Sequence, residues 1–156
     1  MVLRVYVDTS VIGGCLDEEF AEDSLRLFES ARLGALSLLL SDVVLRELEN
    51  APAEVQRLLE TLPESAVESV PLTADVLRLR DAYVARGIVG PKWLDDATHV
   101  AAATVARADA IVSWNFQHIV RLDKIKAYNE VNRALGCGVL TIISPREVGY
   151  GRQDQE

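Results

Sequence analysis

Three acidic residues and one amide carry the chemistry this chain suggests. Asp8 closes the apolar run Leu3-Arg4-Val5-Tyr6-Val7 and is followed at once by Thr9-Ser10-Val11-Ile12-Gly13-Gly14. The run reads as a first β-strand, and the polar and glycine residues read as the turn into a helix. In open parallel α/β sheets, ligands gather beyond the carboxyl ends of the strands, where helix N-termini also point. A carboxylate at that edge adds nothing to packing and is well placed to hold a cation.

The second acid lies in Asp42-Val43-Val44-Leu45-Arg46-Glu47-Leu48-Glu49-Asn50. On a helical wheel Val43, Val44 and Leu48 form the apolar face, and Glu47 falls inside that arc. An ionised carboxylate on a buried face is costly unless it is paired or metal-bound. The bland alternative is that Glu47 reaches the rim or pairs with an arginine. The third acid comes from Gly90-Pro91-Lys92-Trp93-Leu94-Asp95-Asp96-Ala97-Thr98-His99-Val100-Ala101. Trp93, Leu94, Ala97, Val100, Ala101, Thr104 and Ala108 form its expected core stripe. Asp96 flanks that stripe, and Asp95 points away beside His99. The bland reading is two acids decorating a helix N-terminus, where the macrodipole favours negative charge. Asp95 and His99 have the i, i+4 spacing of a transition-metal pair, but a lone helical histidine is more often a surface or boundary residue. His118 reads the same way, as a hydrogen-bonding boundary residue rather than a general base.

The fourth locus is Ala110-Ile111-Val112-Ser113-Trp114-Asn115-Phe116, a strand and a polar turn at the same edge. Asn115 either joins a site there or caps the turn's backbone. Asp8, Glu47, Asp96 and Asn115 together would make a hard, oxygen-rich site that suits Mg2+ or Mn2+ rather than zinc. Phosphodiester hydrolysis uses such a site most directly, because the ions activate water and neutralise phosphate. No side chain is an evident general base.

The elements that must position these groups alternate. Expected strands are 3–7, 37–40, 67–71, 110–113 and 139–143. Expected helices are 21–34, 42–50, 53–62, 73–86, 92–107 and 123–135, with Ser41 and Thr73 as N-caps. In the first of these helices, Leu25, Leu27, Phe28 and Ala31 are read as the buried side. Several strands are nearly continuous in apolar character, as strands covered on both faces are. Alternation of this kind gives a parallel sheet with helices on both faces. One domain over residues 1–148 is expected, followed by a polar tail, 149–156.

The chain has 156 residues and a net charge of −8. All of that excess lies in residues 1–91, which hold 16 acidic and 8 basic side chains, against 8 of each in residues 92–156. Such a chain does not bind nucleic acid by charge alone, since phosphate contacts need cations. A divalent metal would have to offset the repulsion locally, with Lys92, Arg121, Lys124, Lys126 and Arg146 supplying the rest. No apolar run approaches the roughly 20 residues of a membrane span. No export signal is recognised at the N-terminus. Cys15 and Cys137 are far apart, form no CxxC pair and read as free thiols. A cytoplasmic location is expected.

These segments resemble the PIN-domain nucleases, particularly the VapC-like toxins of prokaryotic toxin–antitoxin pairs, over about residues 3–147. Val7-Asp8-Thr9-Ser10-Val11 is similar to the family's opening motif, which carries its first metal-binding aspartate. Ser41-Asp42-Val43-Val44-Leu45-Arg46-Glu47-Leu48 is similar to the segment with the second acid, mapped to Glu47. Asp96-Ala97-Thr98-His99-Val100-Ala101-Ala102-Ala103 is similar to the third-acid helix. Val112-Ser113-Trp114-Asn115-Phe116 is similar to the fourth motif, where many members have aspartate and this chain has Asn115. The resemblance implies a three-layer α/β/α sandwich around a mostly parallel sheet of about five strands, in the order 3-2-1-4-5. It also implies an Mg2+- or Mn2+-dependent endoribonuclease acting on RNA, a homodimer, and a small antitoxin partner that blocks the site. The rival reading is a PIN-like binding module that acts through a protein partner. A haloacid-dehalogenase-type phosphatase is disfavoured because Ser10 stands where Asp-x-Asp chemistry wants a second aspartate. The first turn also lacks the GxGxxG of a dinucleotide binder.

Overall fold

Every strand of the sheet alternates between two apolar layers, and that alternation sets the architecture. In β1 (Leu3–Val7), Val5 and Val7 point into one core while Tyr6 points into the other. In β2 (Leu36–Ser41), Leu38 and Leu40 oppose Leu39 in the same way, and in β4 (Ala110–Val112) Ala110 and Val112 oppose Ile111. Both faces are therefore apolar and both must be covered, as the near-continuous hydrophobic runs predict. The computed structural model describes residues 2–149. Of the expected polar tail, residues 150–156 lie outside the described residues.

With β3 (Val67–Val70) and β5 (Ile142–Ile143), the strands form a five-stranded sheet, all parallel, in the order β3-β2-β1-β4-β5. The register pairs Tyr6 with both Leu39 and Ile111, so the second core begins as a stripe across the middle of the sheet. One face carries α1 (Thr9–Gly14), α2 (Ala21–Arg32), α3 (Asp42–Glu47) and α4 (Ala53–Glu60). The other carries α5 (Ala74–Ala85), α6 (Leu94–Val105) and α7 (Leu122–Ala134). The result is the expected three-layer sandwich. The order reverses between β1 and β4, which creates a crevice at their carboxyl ends.

Several local expectations are corrected. The last strand holds only two residues, although Thr141 still accepts a backbone hydrogen bond from Ile111. Residues 42–50 are not one helix: α3 stops at Glu47 and a 3-10 turn covers Leu48–Asn50. Likewise a 3-10 turn at Pro91–Trp93 precedes α6. Trp93 is exposed rather than core, and Leu94 and Ala108 are only partly buried. Leu25 is exposed too. The buried stripe of α2 is Ser24, Leu27, Phe28 and Ala31, because the Ser24 hydroxyl accepts the indole N–H of Trp114 at 2.8 Å. Thr73 caps α5 by accepting from the Val76 amide, but Ser41 does not cap α3; its hydroxyl is hydrogen-bonded to Tyr6. Cys15 and Cys137 are both free thiols. Among the described residues no helix is long and apolar enough to cross a membrane.

Candidate metal centre

Asp8 follows the last residue of β1 and is 4% exposed. It occupies the N-cap position of α1, yet its side chain caps nothing. Instead Oδ1 accepts from the Ser10 hydroxyl at 2.6 Å and Oδ2 from the Ser113 hydroxyl at 2.7 Å. Ser113 follows β4, so this bond crosses the switch point between the two central strands. Both serines are themselves fixed. Ser10 Oγ accepts from the Trp114 amide and Ser113 Oγ from the Asn115 amide, each at 2.9 Å. Burial raises the pKa of Asp8. The His99 charge and the two hydroxyls oppose that rise, Asp96 adds to it, and the net is upward. Among the described residues no lysine or arginine is hydrogen-bonded or ion-paired to Asp8; its carboxylate is held by the two serine hydroxyls.

Glu47 reaches the same edge from the end of α3. It does not lie on a buried helix face, because the helix ends there; its side chain is 32% exposed. Oε1 accepts from the Thr9 hydroxyl at 2.7 Å, on the residue next to Asp8, and from Nε2 of His99 at 3.0 Å. Burial works to raise its pKa. Hydrogen bonds from His99 and Thr9, with the charges of His99 and Arg46, outweigh that and leave Glu47 below the ordinary glutamate value. His99 is buried, and its Nδ1 lies 2.8 Å from Tyr6 Oη, which lies 2.7 Å from Ser41 Oγ.

Asp96 stands in the first turn of α6. Its Oδ2 lies 3.0 Å from Nδ1 of His118, which comes from the loop after β4. The disfavoured Asp95–His99 metal pair does not form, but His99 is buried rather than the surface or boundary residue expected. Asp95 forms an ion pair with Arg46 at 2.9 Å, while His99 turns inward to Tyr6 and Glu47. Asn115 takes its turn role: its amide oxygen accepts from the backbone of Gln117 at 3.2 Å and of His118 at 2.9 Å. A cleft of about 350 Å3 is lined by Glu47, Asp96, Asn115 and His118, together with Lys92 and Trp93. A larger cavity of about 820 Å3 lies elsewhere, between α5, the end of α6 and Leu135–Gly138. Its acids are on the outer surface of α5, with Asp75 paired to Arg78, so the smaller cleft is the one with usable chemistry.

By chemistry the donor types suit a hard divalent cation: three carboxylates from separate segments, the buried one bonded to no lysine or arginine among the described residues. Among the described residues, however, no three His, Cys, Asp or Glu side chains converge tightly enough to form a metal site on their own. The acids surround the crevice without closing on one point, two of them held by histidines. His118 is the hydrogen-bonding boundary residue that was expected, with Asp96 as its partner, whereas the inward role of His99 is what sequence reasoning missed. His99 follows Asp96 by three residues on the same helix, and His118 follows Asn115 by three, so each sits one turn from a candidate site residue. That spacing was the available signal.

No protein-family model matches the chain, and no curated protein matches it in sequence. Its fold does match solved structures. The VapBC2 complex of Rickettsia felis bound to a promoter DNA fragment aligns with TM-score 0.57 at 14% identity, covering 91% of this chain and 98% of that one. DNA-bound VapBC of Salmonella typhimurium aligns with TM-score 0.58 at 17% identity, covering 92% and 99%. VapC20 of Mycobacterium tuberculosis, a toxin that cleaves the sarcin–ricin loop, aligns with TM-score 0.55 at 16% identity, covering 88% and 98%. The chain thus has the fold of PIN-domain toxins of the VapC type, including the strand order the resemblance implied.

Proposed function

We propose that this protein is a divalent-metal-dependent endoribonuclease, the toxin of a toxin–antitoxin pair. The observation that carries the reading is Asp8: a buried carboxylate at the switch point, fixed by two serines and bonded to no lysine or arginine among the described residues. Asp8, Glu47 and Asp96 would hold Mg2+ or Mn2+, and Asn115 shapes the loop beside them. When bound, the ion supplies charge neutralisation of phosphate and activation of water. The chain's own residues do the rest. Ser10 and Ser113 orient the Asp8 oxygens, Thr9 and His99 hold Glu47, and His118 holds Asp96. Two of the neighbours in fold are VapBC assemblies, which supports an antitoxin partner for this chain. The resemblance adds a homodimer, and the cysteine usage with no recognised export signal adds a cytoplasmic setting.

The test uses purified protein with Mn2+ and a mixed single-stranded RNA substrate. Asp8→Asn and Asp96→Asn are expected to lower cleavage by about a hundredfold or more, and to weaken Mn2+ binding measured by calorimetry. Equal cleavage by all three proteins points to a contaminating nuclease and overturns the assignment. A second reading, a binding module of weak activity, draws on two observations: the Asn115 amide oxygen is committed to its turn, and the acids do not already converge. Mn2+ binding without cleavage would favour it.

A further inference from the structure

Trp93 is an exposed indole beside an acidic cleft, in a chain that buries its other tryptophan. Nothing in the packing of α6 requires it there. One ring, His118, backs it at a centroid distance of 4.4 Å and a tilt of 35°. That backing is rigid: the His118 imidazole bonds Asp96, its amide bonds Asn115, and its carbonyl accepts from Tyr128 Oη at 2.9 Å. The indole is therefore one side chain away from a candidate metal ligand. Lys92 holds its Nζ 5.1 Å from the indole centroid. The Gln117 side-chain amide, with donors and an acceptor, lines the same cleft and makes no hydrogen bond among the described residues.

We propose that Trp93 is the stacking platform for one unpaired base of the substrate RNA, with Lys92 and Gln117 engaging the phosphate and the base edge of that nucleotide. The inference rests on the ribonuclease reading of the acids. Charge argues for it. The chain carries −8, and Lys92 is the one cation lining this cleft among the described residues, so phosphate contacts cannot supply the binding. Stacking on an aromatic face tolerates that deficit and accepts any base. A base–aromatic stack also outweighs a cation–π contact at an exposed ring. An arriving base thus displaces the Lys92 ammonium and frees it for phosphate. Paired bases inside a duplex have both faces covered, so a duplex whose ends are closed by hairpin loops cannot use the platform, and such a closed duplex is the one titrated. A base on Trp93 brings its own phosphate toward Asp96, through the Trp93–His118–Asp96 contacts.

The experiment titrates the full chain with a short single-stranded RNA of mixed sequence and with its duplex, in buffer containing Ca2+. Indole emission and the anisotropy of labelled RNA are both followed. Single strands are expected to quench wild-type emission and duplex is not. Trp93→Phe should abolish the quenching yet keep affinity within about threefold, whereas Trp93→Ala should weaken binding about tenfold. Lys92→Ala should lower the salt slope by about one. Unchanged affinity in Trp93→Ala, quenching that persists in Trp93→Phe, equal binding of duplex, or no binding of either RNA overturns the platform. Cleavage is read separately: loss of Mn2+-dependent cleavage as a property of wild type removes the ribonuclease reading, while these binding signals still decide the platform.

Discussion

Nε2 of His99 lies 3.0 Å from Oε1 of Glu47, and the same ring's Nδ1 lies 2.8 Å from the buried hydroxyl of Tyr6. A side chain at the end of a short helix is thereby tied to the middle of β1. Replacing His99 by Phe keeps the ring's bulk, since Tyr6 and His99 already pack edge to face at 5.7 Å. It removes both hydrogen bonds and leaves the Tyr6 hydroxyl with Ser41 alone. The expected cost is about 2 kcal/mol, a melting-temperature loss of roughly 4–8 °C for a chain of this size. Mn2+ affinity should fall by about tenfold, the usual effect of losing a residue that orients a ligand. Calorimetry on His99→Phe and wild type reads both. Unaltered Mn2+ affinity would show that Glu47 is not a ligand, or that it needs no orienting.

Asp8 presents the opposite balance of stability and function. Its carboxylate is buried, and burial disfavours the ionised form. Asp8→Asn keeps the volume and removes the charge. Without metal, the variant is expected to melt above wild type, relief of the burial penalty outweighing the one serine hydroxyl that loses its acceptor. Millimolar Mn2+ should reverse the order. An ion that binds only the folded state adds about 2.7 kcal/mol at a hundredfold excess over its Kd, and Asp8→Asn lacks the ligand. A Mn2+-induced shift of the same size in both proteins would remove Asp8 from the proposed set.

The strands were legible because the sheet is covered on both faces, so runs such as Leu38-Leu39-Leu40 and Ile111-Val112 stand out without any alternation to decode, whereas their order came from the family resemblance alone. Asp8 was legible for a related reason: it is a charge placed directly after such a run. Glu47 was placed on the wrong face because a wheel at about 100° per residue assumes a continuous helix, whereas α3 ends at Glu47 and tightens into a 3-10 turn. Trp93 was misread as core for the same reason, since it belongs to the 3-10 turn before α6 and not to the helix stripe. Spacing sets His99 and His118 one turn from a candidate site residue, but their partners lie 52 and 22 residues away in sequence, and spacing does not name them.

Gly14 is set by close approach rather than by backbone conformation. A Cβ there would meet Ser24 Oγ and Trp114 Nε1, both at 2.8 Å, the two atoms of the hydrogen bond that joins α2 to the loop after β4. Neither atom can retreat freely. Trp114 is stacked on Phe20 at 4.2 Å and covered by the Arg146 guanidinium at 5.2 Å. Gly14→Ala is expected to cost about 1–3 kcal/mol through overpacking, despite alanine's better helix propensity. Ser24→Ala loses the bond without the clash, and should cost about 1 kcal/mol. Denaturant melts of the two variants rank the effects. A stabilised Gly14→Ala would mean that the loop after β4 gives way easily.

Arg4 ties the edge of the sheet opposite the cleft. Its guanidinium bonds both carboxylate oxygens of Glu68 on β3, and also the carbonyls of Ala106 and Arg107 at the end of α6. Its backbone amide bonds Asp109 at 2.7 Å. The hydrogen bond from Arg4 is the main cause holding Glu68 below the ordinary glutamate pKa of about 4.5. A depressed carboxylate pKa stabilises the fold above the unfolded-state value, and that contribution is lost as pH falls through the lower, folded value. The pair is solvent-accessible, with side chains 35% and 46% exposed, so the contribution is small, at most about 1 kcal/mol. Glu68→Gln should therefore melt slightly below wild type at neutral pH and converge with it in acid below pH ~4. Arg4→Met should cost more, about 1–2 kcal/mol, because two carbonyls lose their donor as well. That extra loss should persist in acid, where the Glu68 contribution has gone. Melting curves of the three proteins from neutral to acid pH check this. A Glu68→Gln deficit that widens as pH falls would reverse the assigned sign.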